Sequence, residues 1–163
     1  MRIDAADLER LQRRRQAALG PRGRLFPDGC LLFVPGTLRN PLNDRKLDDH
    51  HARAAWRRLW RDKVADALLE VGYRRGQWDP AAPKRVTIVG HVRRRFDLAT
   101  DGLRAACKPI PDALKLVGVI DDDRDSAGHE FTYDQVVDRL WLGVEVHVRL
   151  GLAAEQARCG PER

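Results

Sequence analysis

The clearest periodic stretch runs from His50 to Val71. Trp56, Leu59, Trp60, Val64, Ala67, Leu68 and Val71 recur at spacings of three and four, which places them on one face of a helix. Gly72 supplies the C-terminal stop. The other faces carry Arg53, Arg57, Arg58, Arg61 and Lys63. Upstream, Leu31 to Val34 is a short apolar run ended by Pro35-Gly36, the pattern of a buried strand. Between the two lies TLRNPLNDRKLDD, a loop rich in Asn, Asp and Pro. Tyr73 to Lys84, with Gly76, Pro80 and Pro83, reads as another loop. Val86 to Val92 alternates as a strand, with Val86, Ile88 and Val92 on one side and Thr87, Val89 and His91 on the other. A longer alternation closes the chain. Leu140, Leu142, Val144, Val146, Val148 and Leu150 face one way, and Trp141, Glu145, His147 and Arg149 the other.

A second helical segment is expected from about Asp101. Leu103, Cys107, Ile110, Leu114 and Val117 form its core side, and Asp101, Arg104 and Lys108 its polar side. Pro109 and Pro111 predict a break near Lys108, with Asp112 on a fresh turn started by Pro111, because proline lacks an N–H and crowds the preceding turn. At the other end of the chain, Asp4 to Leu19 has Leu8, Leu11 and Ala18 near helical spacing, a basic block at Arg13, Arg14 and Arg15, and a stop at Gly20, Pro21 and Gly23. Residues 1–24 are therefore read as a basic N-terminal arm, 25–151 as the folded domain, and 152–163 as a flexible C-terminal tail. The order of elements predicts an α+β fold: a single domain with one mixed β-sheet and helices packed on it.

Bulk properties narrow the class. A chain of 163 residues suits one domain with a core, and 43% hydrophobic residues excludes full disorder. No run approaches the ~18 apolar residues of a membrane span, and the N-terminus lacks the apolar stretch of a signal peptide. Cys30, Cys107 and Cys159 form no CxxC pair, so they read as reduced thiols rather than as a disulfide framework or zinc site. A cytoplasmic protein is expected. The net charge of +6 and pI near 9.7 point to a polyanionic partner, and the arginine-rich excess suits phosphate.

The segment FDLATDGLRAACKPIPDALKLVGVIDDD, Phe96 to Asp123, concentrates the chemistry. It follows the strand-like VTIVGHV and the arginines Arg93, Arg94 and Arg95. Carboxylates hold Mg²⁺, a lysine steadies a phosphate, and arginines position a phosphate backbone. Asp97 or Asp101 from one end and Asp122 or Asp123 from the other are the candidate ligands. The rival reading makes Asp101 a helix cap and the aspartate triplet a solvated turn. Trp56 and Trp60 read as core rather than as base-stacking groups. The histidines His50, His51, His91, His129 and His147 show no HxxxH spacing, and no Gly-rich phosphate loop or serine nucleophile motif is present.

The pattern Asp101-Gly102-Leu103-x4-Lys108-Pro109-x2-Asp112-x-Leu114-x3-Gly118-Val119-Ile120-x-Asp122-Asp123 resembles the central motif of RusA-type Holliday-junction resolvases. The early strand and FVPGTLRNPLN loop, the basic helix, the strand before the acidic motif and the closing strand are similar to that family's layout. The resemblance spans roughly Leu31 to Leu150 and implies a RusA-like fold. It also implies a Mg²⁺-dependent endonuclease acting on four-way junctions in DNA recombination and repair, working as a homodimer. By this resemblance Asp101 matches the second metal-binding aspartate, Lys108 the catalytic lysine, and Asp123, beside Asp122, the later metal-binding acid. Asp112 matches a motif aspartate read as structural. Arg93, Arg94, Arg95, Arg104, Arg57 and Arg61 are the expected DNA contacts. The chain departs from the family at Ala99, where the first acid belongs, and at Gly102, where the family has Asn. The segment RDSAGHEFTYDQ after Asp123 is also longer than usual. Asp97, two residues before Ala99, is the candidate replacement ligand. The alternative expectation is a non-catalytic DNA-binding protein on the same fold with a degenerate metal site, and a more distant one is a basic interaction protein with no nucleic-acid role.

Overall fold

The computed structural model describes residues 23–41, 44–47, 49–97, 102–124, 128–138 and 140–151. The expected helix of the N-terminal arm, the tail after Gly151, Ala99 and Asp101 lie outside the described residues. Five strands form one mixed sheet: β1 (Gly23–Phe26), β2 (Gly29–Pro35), β3 (Lys84–Val92), β4 (Glu130–Val137) and β5 (Gly143–Leu150), in the spatial order β1-β2-β5-β3-β4. Among the described residues three α-helices accompany it: α1 (His50–Glu70), α2 (Gly102–Cys107) and α3 (Pro109–Leu116). The expected single α+β domain with a mixed sheet is the fold observed.

The alternation read from sequence sets the buried face of the sheet. Leu32 and Val34 of β2, Val86 and Ile88 of β3, and Val144, Val146 and Val148 of β5 are almost wholly buried. They meet Trp60, Val64, Ala67 and Leu68 of α1 and Leu103, Cys107, Ile110 and Leu114 of α2 and α3 in one core. Helix α1 starts at Asp49, whose carboxylate accepts from Ala52 N at 3.0 Å. It stops before Gly72, whose φ of +92° is disfavoured for residues with a Cβ. Leu59, expected on the core face, is 54% exposed. The buried stripe runs Trp56-Trp60-Val64-Ala67-Leu68, and Leu59 falls one position off it.

Two strands were not foreseen. β1 pairs with β2 across the Pro27-Asp28 turn, and its first residues, Gly23 and Arg24, lie within the stretch assigned to the arm. β4 lies largely in the segment after the acidic motif that reads as longer than usual and was given no element. It is an edge strand, so only alternate residues, among them Phe131 and Tyr133, pack on the core, while Glu130, Thr132 and Asp134 stay polar and exposed. The closing strand begins at Gly143 rather than Leu140. Leu140 is exposed, and Trp141 lies on the Glu145 side of the sheet as expected, buried there against Phe33 and His91, with ring centroids at 6.4 and 4.4 Å.

β3 pairs with β4 in parallel, from Arg85↔Glu130 to Val92↔Val137. A parallel pair needs a long crossover. Here it contains α2 and α3, and so every expected site residue from Arg93 to Asp123. Ile88→Ala, in the middle of β3, should cost about 2–5 kcal/mol of unfolding free energy. Leu59→Ala should change it by no more than about 0.5 kcal/mol. Urea denaturation of the two variants checks the assignment, and a large loss for Leu59→Ala would contradict it.

Candidate active site

Lys108 sits at the joint between α2 and α3. Cys107 before it and Pro109 after it are buried, so the lysine is the exposed residue of the joint. The break expected there is observed, with Pro109 rather than Pro111 opening the new helix at the position where a missing N–H costs nothing. The ammonium of Lys108 hydrogen-bonds Asp123 and lies 3.4 Å from Asp112, one helical turn on. Partial burial alone would lower the pKa of Lys108. The hydrogen bond to Asp123 and the charges of Asp112 and Asp123 outweigh it, so the ammonium is held above its ordinary value.

The three consecutive aspartates divide their tasks. Asp121 Oδ1 accepts from Asp122 N at 2.7 Å and from His129 Nε2 at 2.8 Å. Asp122 Oδ1 accepts from Asp123 N at 2.9 Å and from Lys115 Nζ at 2.9 Å, and Arg124 approaches its other oxygen at 3.4 Å. Both carboxyls are held below the usual range, Asp121 chiefly by His129 and Asp122 chiefly by Lys115. Asp123 is the member whose carboxylate faces Lys108 instead of folding back on the turn.

The turn is anchored from beneath. Asp121 N donates to Pro80 O at 3.1 Å. The loop carrying Pro80 is gathered by the buried Lys84, whose ammonium donates to Asp79 O at 2.6 Å and Ala82 O at 2.8 Å. Burial pushes the pKa of this lysine down. Tyr73 adds a bond from its hydroxyl to Gly118 O at 3.0 Å. Tyr133 of β4 stands under Arg104, with the guanidinium 6.0 Å from the ring centroid. Burial pushes its phenol up to about 12, with Arg104 opposing and Cys107 and Asp123 reinforcing the rise. His129, Lys84 and Tyr133 were not singled out from sequence. Tyr133 had a period-two signal in EFTYDQVV, whereas Lys84 and His129 gain their roles only from contacts made in the fold.

The other expected residues are distributed. Arg57, Arg58 and Arg61 line a groove between α1 and α3 together with Asp112, Lys115 and Leu116. Asp112 and Lys115 join that groove to the lysine–aspartate cluster. Arg93 and Arg94 line a second groove at the end of β3, and Arg95 is exposed on the same loop. Asp97 is exposed, and its carbonyl accepts from Gly102 N at 3.1 Å. A Cβ on Gly102 would stand 2.9 Å from Asn40 Nδ2 and 3.0 Å from the Asp97 carbonyl, so a side chain there would have to shift the Asn40 amide and press on that carbonyl. Among the described residues no group of three or more His, Cys, Asp or Glu side chains stands ready to hold a metal ion. Carboxylate oxygens are the donors a hard cation takes, but here Asp123 pairs with the Lys108 ammonium and Asp122 with Lys115 and Arg124, which a cation would have to displace.

Replacing His129 with Phe should raise the pKa of Asp121 toward the ordinary carboxylate value of about 3.9. Because the folded-state pKa lies below the unfolded one, the contribution of this carboxylate to stability is complete above that value. It is lost as pH falls through the folded pKa, and His129→Phe should flatten that loss. Carbon-detected NMR titration of Asp121 measures the shift directly, and an unchanged midpoint would show that His129 does not hold the charge.

No helix among the described residues is long and apolar enough to cross a membrane. No protein-family model and no curated protein sequence matches the chain.

Proposed function

We propose that the protein is a cytoplasmic Mg²⁺-dependent endonuclease that cuts branched DNA, such as four-way junctions, in recombination or repair. The observation that carries this reading is the contact between Lys108 and Asp123, residues 15 positions apart that the crossover brings together. Asp101 and Asp123, with Asp97 or Asp122, would hold the ion. Bound there, Mg²⁺ would supply an activated water and a Lewis acid at the scissile phosphate.

The chain's own residues supply the rest. Lys108 carries a persistent positive charge beside Asp123 and is placed to neutralise charge developing on the phosphate. Asp112 keeps the ammonium directed along the face of α3. His129 and the Pro80 carbonyl fix Asp121 and thereby the direction in which Asp123 leaves the turn. Arg57 and Arg61 on the α1–α3 groove, Arg104, and the Arg93–Arg95 loop offer separate cationic contacts to a phosphate backbone. A homodimer, implied by the resemblance, suits two symmetric cuts in a two-fold symmetric junction.

The test is incubation with a four-way junction and with linear duplex, with and without Mg²⁺. Junction cleavage that requires Mg²⁺ is expected. Asp123→Asn should abolish cleavage and leave junction binding, because the amide keeps the shape but removes a hard anionic donor. Lys108→Ala should lower turnover by about 10²–10³-fold, far more than it lowers affinity. Salt-dependent junction binding with no cleavage by the wild type would sink the enzymatic reading in favour of a DNA-binding protein on this fold.

A further inference from the structure

The second arginine groove is not needed to build the lysine–aspartate centre, and its composition differs from that of the first. It is lined by Thr37, Leu38, His91, Val92, Arg93, Arg94, Phe96 and Leu142 and encloses about 400 Å³. That falls within the range of small-ligand sites, about 300–1,000 Å³. We propose that this groove holds one nucleotide unstacked from a DNA branch point, its base against Phe96, Leu38 and Leu142 and its phosphates on Arg93 and Arg94. The proposal rests on the branched-DNA reading and adds the structural feature by which a branch is told from a duplex.

The walls match the two halves of a nucleotide. Arg93 and Arg94 are exposed and make no ion pair with any described residue, so both guanidinium groups are available to phosphate. Leu38 and Val92 are buried in the core and Phe96 is half-buried at its edge, giving an apolar surface with an aromatic member. His91 adds a polar edge. Its Nε2 donates to Glu145 Oε1 at 2.8 Å, while its buried Nδ1 has no hydrogen-bond partner. Asp138 Oδ2 is the nearest charge to that nitrogen, at 3.7 Å, beyond hydrogen-bond length.

The groove is also held open. Gln135, buried on β4, grips Phe96 with both ends of its amide: Oε1 accepts from Phe96 N at 2.8 Å, and Nε2 donates to Phe96 O at 3.0 Å. Asp138 N donates to Val92 O at 3.0 Å. The loop bearing the arginines is thus pinned at each end to β4, so little order has to be imposed on binding. Removing a base from a regular stack costs a few kcal/mol, and less where the stack is already interrupted. A rigid pocket of this kind therefore selects the interrupted site.

The experiment uses the full chain and a four-way junction carrying 2-aminopurine at one branch-point position, with a linear duplex carrying it at an internal position. Wild type should change the 2-aminopurine emission of the junction and not of the duplex. Phe96→Leu, which keeps an apolar side chain of similar bulk, should suppress that change and lower the junction-to-duplex affinity ratio about tenfold. Arg93→Gln with Arg94→Gln, both at exposed positions, should reduce the slope of log affinity against log salt by about two. If junction binds but its emission is unchanged, or is the same for wild type and Phe96→Leu, the pocket is overturned and the branched-DNA reading survives. If no junction binds at all, both are overturned.

Discussion

The parallel pairing of β3 with β4 is the constraint on which the candidate site depends. Antiparallel neighbours can be joined by a tight turn, as β1 and β2 are across Pro27-Asp28. Parallel neighbours force the chain to travel back along the sheet before the second strand can begin. The return path here runs from Arg93 to His129. The register from Arg85↔Glu130 to Val92↔Val137 fixes both ends of that path, and within it the chain folds back on itself. Lys108, halfway along, meets Asp123 near its end, and His129, just before β4, reaches back to Asp121. The site is thus a product of topology rather than of any local motif.

Stability alone is a weak reason to keep such a cluster. Ion pairs at partly exposed sites contribute about 0–1 kcal/mol each, and the side chains of Lys108 and Lys115 are about half exposed, at 48% and 49%. The same fold obtains more from groups that carry no site chemistry. Burying Lys84 is favourable only because the Asp79 and Ala82 carbonyls replace the water it loses. That arrangement orders the loop whose Pro80 carbonyl holds the backbone of Asp121. The strong, buried interactions therefore lie beneath the turn, and the weak, exposed ones face outward where a substrate would arrive.

Much of this was legible in the sequence where burial is one-sided and continuous. The Trp56-Trp60-Val64-Leu68 stripe, the alternation of Val86 and Ile88, and the break at Lys108-Pro109 each follow from a single local rule and are found in place. Leu59 was misplaced because a spacing of three or four also fits positions just off the stripe. β4 was missed because an edge strand buries only part of one face, so Phe131 and Tyr133 stand among Glu130, Thr132 and Asp134 as they would in a loop. Trp141 keeps the side read for it, that of Glu145, and is buried there because its ring packs over His91 and Phe33. Of the site, the sequence marked Lys108, Asp122 and Asp123 as candidates, but the contacts of Lys108 with Asp123 and Asp112 were not foreseen. Nor were the supports from Lys84, His129 and Tyr133, since they depend on contacts between residues remote in sequence.

The departure from the motif at Gly102 takes on a different meaning in the fold. From sequence it is the loss of a polar group near the acids. In the structure Asn40, from the loop after β2, comes within 2.9 Å of where a Cβ would be, and the Asp97 carbonyl stands 3.0 Å from the same point. A side chain at 102 would displace the tip of Asn40 from this position. The glycine thus leaves room for the Asn40 amide at the start of α2.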